Sequence, residues 1–101
     1  VSKAGLDQLT RVLALELAKY KVRVNSVNPG VVETNLHLNS GMDSDNYRKF
    51  LKRSETTHPL GRVGQADEIA NLISFLASEN AGWITGITCN IDGGRHLTCA
   101  R

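Results

Sequence analysis

The stretch Val22-Arg23-Val24-Asn25-Ser26-Val27-Asn28 runs directly into Pro29-Gly30-Val31-Val32-Glu33-Thr34, and its reading decides the fold. A short β-branched run predicts a strand over 22–28, and the Pro-Gly pair breaks it. A hydroxyl residue, Thr34, follows four positions after Gly30. In open α/β sheets, ligands bind in the crevice beyond the carboxyl ends of the strands. The turn leaving this strand is therefore where a small-molecule site is expected.

Working outward, residues 4–20 read as a helix, because Leu6, Leu9, Leu13, Leu17 and Tyr20 form one apolar stripe at three- and four-residue steps. Val12 and Leu15 lie roughly opposite. A second apolar patch calls for a second partner, either a neighbouring helix or another subunit. A further helix is expected over about 66–78, with Asp67 and Glu68 in its first turn, where the dipole favours acids. Ile69, Leu72, Ile73 and Leu76 make its apolar face, and Asn80 and Gly82 supply a stop. Gly86 then opens a second strand, Ile87–Ile91, closed by Asp92-Gly93-Gly94. Strand, helical connection, strand is a βαβ unit, which implies a parallel pair with a right-handed crossover. The fold class is α/β. Parallel sheets need both faces covered and more than two strands, so the remainder of the sheet is expected from sequence outside these residues.

Between the strand and the second helix, residues 35–58 are the most polar part. They hold Asn39-Ser40-Gly41 and a weakly amphipathic stretch around 44–53, and they end in the breaker-rich turn His58–Gly64. Long loops inside compact domains are usually functional lids or disordered. Tyr47, Phe50 and Leu51 give this one an apolar face, which favours a lid with a short helix. His37, Leu38, Met42, Tyr47 and Phe50 are its candidate lining. His37 reads as a solvent-exposed histidine ahead of a proton donor.

With 12 Lys and Arg against 10 Asp and Glu, the net charge of +2 is too small a surplus for nucleic acid. Lys49, Lys52 and Arg53 read as a solvated helix face, flanked as they are by acids. Cys89 and Cys99 have no metal-ligand spacing with His37, His58 or His96, so no metal site is expected. Sparse cysteine usage suits a reducing, cytoplasmic compartment. No apolar run approaches membrane-spanning length, no signal peptide is visible, and the chain starts at Val1, which suggests a fragment or processed product.

Ser2-Lys3-Ala4-Gly5, Arg23-Val24-Asn25, Asn28-Pro29-Gly30 with Thr34, Pro59-Leu60-Gly61-Arg62, Asp67-Glu68-Ile69-Ala70, Gly86 and Asp92-Gly93-Gly94 occur in this order. Together they resemble the C-terminal part of a short-chain dehydrogenase/reductase, most of all the 3-oxoacyl-[acyl-carrier-protein] reductase type. The resemblance covers essentially the whole chain. Each motif is weak alone, and seven in register are specific.

The resemblance implies the C-terminal part of an NAD(P)-binding Rossmann fold. Residues 1–101 would form part of one such domain, a helix followed by a βαβ unit, with the lid at about 35–58. It implies hydride transfer between NAD or NADP and a small-molecule carbonyl or alcohol, a homodimeric or homotetrameric parent, and no membrane partner. Lys3 matches the Lys of the family's Tyr-x-x-x-Lys pair, with the Tyr four residues earlier, upstream of Val1. That spacing puts both on one helix face. The Lys would hold the nicotinamide ribose and lower the phenol pKa, since unit charges about 4 Å apart interact by roughly 4 kcal/mol at an effective dielectric near 20.

Asn28, Pro29, Gly30, Val32 and Thr34 would meet the cofactor, Gly30 because it has no side chain to block an approach, and Thr34 through a hydroxyl bond to the carboxamide or pyrophosphate. The plain alternatives are a strand-ending turn at 29–30 and a capping role for Thr34. Asn25 reads as structural, satisfying backbone groups beside the strand. Asp92-Gly93-Gly94 reads as a tight turn and no phosphate cradle, because no helix follows it. Trp83 reads as packing, in a core or an interface. An apolar lid suits a hydrophobic or 3-oxoacyl carbonyl better than a bare sugar. The chain has no Gly-rich first turn and no catalytic Tyr, so by itself it is expected to be inactive and at best loosely folded. A competing reading is a non-catalytic truncated product that pairs with full-length subunits through the helix at 4–20 and the strand at 87–91.

Overall fold

The computed structural model describes residues 2–33 and 44–98. Thr34, His37, Leu38, Met42 and Cys99 lie outside the described residues. The chain divides into two compact units, residues 1–28 with 71–89 and residues 29–70 with 90–101.

In the first unit, α1 spans Lys3–Leu17, and Ser2 caps it by accepting the Gly5 N–H at 3.1 Å. A 3-10 turn over Ala18–Tyr20 follows, and Lys21 ends it in the left-handed region at φ 64. Among the described residues the leucine stripe is uncovered. Leu6, Leu9 and Leu13 are 41%, 48% and 37% exposed, and the buried positions are Thr10 and Ala14. The reason is steric. Ala14 abuts the Gly86 turn so closely that a Cβ on Gly86 would stand 3.4 Å from its own Cβ. Thr10 satisfies its buried hydroxyl by donating to Leu6 O at 2.9 Å. Asp7, on the same face, accepts from Thr88 Oγ1 at 3.2 Å. A helix docked by its small residues leaves its leucines uncovered among the described residues. Trp83, expected to pack, is 99% exposed there.

The strand β1 spans Ser26–Pro29 and pairs with β4, Thr88–Ile91. Ser26 N donates to Ile87 O, and four residues on in both segments Gly30 N donates to Ile91 O. The constant offset makes the pair parallel, as the βαβ reading requires. β1 begins later than the expected Val22. Residues 24 and 25 are held instead by single contacts, with Gly86 N donating to Val24 O at 2.8 Å and Val24 N to Thr85 Oγ1 at 3.1 Å. Asn25 behaves as expected: its amide donates to Ile84 O at 3.1 Å, and its carbonyl accepts from Ile87 N at 3.2 Å.

The second unit carries two short strands that periodicity did not announce. β2, Val32–Glu33, pairs in parallel with β3, Gly64–Gln65, in the register Val32 to Gly64 and Glu33 to Gln65. Between them runs α2, Ser44–Thr57, four residues longer than the expected 44–53 stretch. Tyr47 and Ser54 are buried along one face of it, with Phe50 and Leu51 half-buried. The helix α3, Ala66–Ala77, follows β3 directly. Glu68 in its first turn accepts the Gln65 N–H at 3.0 Å, the reciprocal half of a capping box. The far end of α3 lies in the first unit, where the Arg23 guanidinium donates to Leu76 O and Ser78 O. Those carbonyls would otherwise be orphaned at the helix C-terminus.

Candidate functional site

The turn at the carboxyl end of β1 is built against two other turns of its own unit. Pro59 to Gly61 close a β-turn in which Gly61 N donates to His58 O at 2.8 Å. The Asp92-Gly93-Gly94 turn nests beneath it, with both glycines at positive φ (60° and 89°). Leu60 N donates to Gly93 O at 3.0 Å. A Cβ on Gly94 would meet Pro59 at 3.3 Å, and one on Gly93 would meet Leu60 at 3.5 Å. The glycines therefore serve two needs, left-handed backbone and close approach. Asp92 braces the three-residue 3-10 turn that follows, Arg95–Leu97, by accepting from the Gly94 and His96 amides at 3.0 Å each. Tight turn, as expected, is the correct reading here.

Gly30 is enclosed by the same group. A Cβ there would lie 2.9 Å from both Asp92 Cβ and His58 Nε2, and 3.0 Å from Asp92 Cα. The expected reason for this glycine, open space for a ligand, is thus joined by a stronger internal one: no side chain fits against Asp92. Behind the turn lies a cavity of about 100 Å³ bordered by Val31, His58, Leu60, Arg62, Asp92 and Gly93, too small for a ring-bearing ligand, whose sites typically run to about 300 Å³ or more.

His58 is the residue that sequence reasoning missed. It is 3% exposed. Its Nε2 accepts the Val31 N–H at 3.2 Å, and its Nδ1 lies 2.7 Å from Ser54 O and 3.1 Å from Thr57 Oγ1. Because a backbone N–H can only donate and a carbonyl only accept, the ring is neutral with its proton on Nδ1. Val31 is fixed from its other side too, since its carbonyl accepts from Gly64 N at 2.9 Å. One sequence signal could have found His58: it falls at i+4 from Ser54 and i+11 from Tyr47, just past the end of α2 in line with its buried face.

Charges around the turn are settled internally. Burial pushes the Asp92 carboxyl up, but hydrogen bonds from His96 and from the Gly94 and His96 amides outweigh it and leave the pKa below its ordinary value. Glu68 is held down to about 2, chiefly by the bidentate Arg62 guanidinium at 2.8 and 2.9 Å and then by the Gln65 amide.

Of the residues expected to act, Pro29, Gly30 and Val32 come together in the second unit with His58 and Asp92, while Lys3 and Asn28 belong to the first. Lys3 is exposed at the first position of α1. Ser2 before it is the extended N-cap (ψ 159). Tyr47 is 7% exposed and Phe50 half-buried, so Tyr47 faces inward within its unit.

Comparison with known proteins follows the motif order. A family model described as enoyl-(acyl carrier protein) reductase matches residues 1–96. L-xylulose reductase of Caenorhabditis elegans is 45% identical over 93 residues, covering 92% of this chain and 36% of that protein. The 3-oxoacyl-[acyl-carrier-protein] reductase FabG of Buchnera aphidicola subsp. Schizaphis graminum is 42% identical over 97 residues, covering 96% of this chain and 37% of that protein. A crystal structure of a short-chain dehydrogenase/reductase of unknown function from Caenorhabditis elegans, with cofactor, superposes at TM-score 0.86 and 41% identity. That match covers 97% of this chain and 38% of the other. The chain spans little more than a third of the length of the curated relatives it matches.

Proposed function

The chain belongs to the short-chain dehydrogenase/reductase family, and from that premise we propose that it is the C-terminal portion of an NAD(P)-dependent oxidoreductase. In this reading the parent moves hydride between nicotinamide and a carbonyl or secondary alcohol. The observation that carries the proposal is the family match over residues 1–96, with the Pro29-Gly30 turn standing at the carboxyl end of a parallel strand.

The residues present suit a dinucleotide. Val31 has its amide and carbonyl committed to His58 and Gly64, so the main chain entering Val32 is set without help from a ligand. The one nearby carboxylate on β2, Glu33, accepts from Gln65 Nε2 at 2.9 Å. Lys3, exposed on the first turn of α1, supplies an ammonium for ribose hydroxyls and lowers the pKa of a phenol four residues earlier. The Val32 backbone would hold the carboxamide, and Asn28 and Thr34 are the other residues proposed to bind the cofactor. Bound nicotinamide supplies or accepts the hydride. α2, with Tyr47 and Phe50, and the preceding residues His37, Leu38 and Met42 form the substrate lid. Lids of this kind exclude water on closure. A hydrophobic carbonyl such as a 3-oxoacyl group is the proposed substrate class, and a cytoplasmic homodimer or homotetramer the proposed assembly.

A second reading has one observation in its favour: leucines are exposed on two sides of α1, Leu6 and Leu9 on one and Leu15, 81% exposed, on the other. A non-catalytic chain that pairs with full-length subunits would cover them. Co-purification of residues 1–101 with the intact enzyme is expected on this reading, and its absence removes it.

The main test is carbonyl-dependent oxidation of NADPH and NADH by the protein with its upstream sequence restored. Turnover is expected, and Lys3→Met is expected to lower it by about 100-fold or more, the usual scale of a positioned acid–base group. Residues 1–101 alone are expected to turn nothing over. An intact protein that neither binds nor oxidises either dinucleotide refutes the proposal.

A further inference from the structure

We propose that His58 is a positioning residue, whose neutral imidazole ties the last turn of α2 to the Gly30-Val31-Val32 backbone and so sets the main chain that receives the nicotinamide. The inference rests on the functional reading above and adds to it a residue with no assigned role.

Three observations carry it. First, both ring nitrogens are occupied: Nε2 by the Val31 N–H at 3.2 Å, Nδ1 by Ser54 O at 2.7 Å with Thr57 Oγ1 at 3.1 Å. The ring is 3% exposed, and its nitrogens are engaged by protein groups, which is the arrangement of a positioning side chain. Second, the ring is wedged where Gly30 lacks a side chain, with Nε2 2.9 Å from the position a Cβ would take. The imidazole thus fixes two successive residues of the turn, one by a hydrogen bond and one by contact. Third, the two bonds join separate elements. Ser54 is on α2, and Val31 immediately precedes β2, 27 residues before His58. A shift of the lid helix is therefore transmitted to the turn through one rigid ring.

The bonding pattern sets the protonation state. Val31 N–H demands a lone pair on Nε2, and Ser54 O demands a proton on Nδ1. A second proton on Nε2 would face the amide donor and break the tie. Three charged groups border the same cavity as His58: Arg62 and Glu68, which pair with each other, and Asp92, whose Cβ and Cα close the other flank of Gly30. Its carboxylate is occupied by the Gly94 and His96 amides and the His96 ring, and leaves the His58 bonds to the backbone.

Two near-isosteric variants divide the ring's functions. In His58→Gln the terminal amide takes the Nε2 position and can present its oxygen to Val31, losing the Ser54 bond. In His58→Asn the shorter amide takes the Nδ1 position and keeps the Ser54 bond, losing Val31. Each loses one hydrogen bond of similar worth, so a merely structural role predicts equal effects. The measurement is the dissociation constant for NADPH and NADH by nicotinamide fluorescence on the intact enzyme, alongside amide exchange at Val31. His58→Asn is expected to weaken binding of the preferred dinucleotide about fivefold to tenfold, the scale of one net hydrogen bond, and to speed Val31 exchange. His58→Gln is expected to stay within about twofold of wild type in both. Equal losses in the two variants, or none in either while wild type binds, overturn the positioning role and leave the functional reading standing. Wild type binding neither dinucleotide overturns both.

Discussion

Replacing Gly30 by alanine puts the packing of the strand-end turn to a quantitative test. The added Cβ would sit 2.9 Å from Asp92 Cβ, 2.9 Å from His58 Nε2 and 3.0 Å from Asp92 Cα, where ordinary contacts begin near 3.4 Å. The His58 ring could tilt away, at the expense of its Val31 bond. Asp92 cannot easily retreat, because Ile91 O accepts from Gly30 N and Asp92 O from Arg95 N. Overpacking of this kind costs about 1–3 kcal/mol, or about 5- to 150-fold in an equilibrium constant. The assay is native-state amide exchange at Val31 and Gly64, whose N–H groups bond His58 and Val31 O. Gly30→Ala is expected to accelerate both by that factor. Gly64→Ala is the control: its Cβ would have only Val31 O and Val32 at 3.8 Å, so the change should stay within about 0.5 kcal/mol, near twofold. Equal exchange in Gly30→Ala and wild type would refute the enclosure of the turn by Asp92 and His58.

Arg23→Met uncaps α3, and hydrogen bonds to a charged group are worth about 1.5–3 kcal/mol. Faster exchange is expected at the Ser78 amide, which bonds Phe75 O, with Arg23→Lys losing less because one ammonium can still reach a carbonyl. Glu68 gives a pH signature. Its folded pKa is depressed from 4.5 to about 2, so its contribution is fully present above 4.5 and is lost as pH falls through about 2. In acid titrations followed by circular dichroism, Glu68→Gln should reduce the slope in that window, where Asp92, whose pKa is also lowered, still contributes, and an unaltered acid limb would contradict the Arg62–Glu68 geometry.

How much could be read from the chain depended on how local each cause was. The Pro-Gly break, the acidic start of α3, the glycine turn after β4 and the bridging role of Asn25 all follow from short-range chemistry, and the structure has each of them. α2 runs four residues past the expected stretch, through Ser54, Thr56 and Thr57. In the structure their hydroxyls donate back to Phe50 O, Arg53 O and Ser54 O, which lets the helix absorb them. The contact that α1 makes among the described residues was not legible. Hydrophobic periodicity locates leucines, whereas the contact among the described residues is made by Ala14 against a glycine turn more than 70 residues away in sequence. β2 with β3 is a two-residue ladder, below the length at which alternation carries information. Of the site, the turn was legible and its support was not, since His58 reaches Val31 across 27 residues.

Arg23 closes the end of α3 from 53 and 55 positions earlier in the chain. The residue that finishes this helix is therefore made well before the helix itself, and must wait for Ser78 to be synthesised. A protease nick anywhere between them would turn an internal clasp into an encounter of two pieces, so the integrity of that helix end would then depend on how concentrated the halves are.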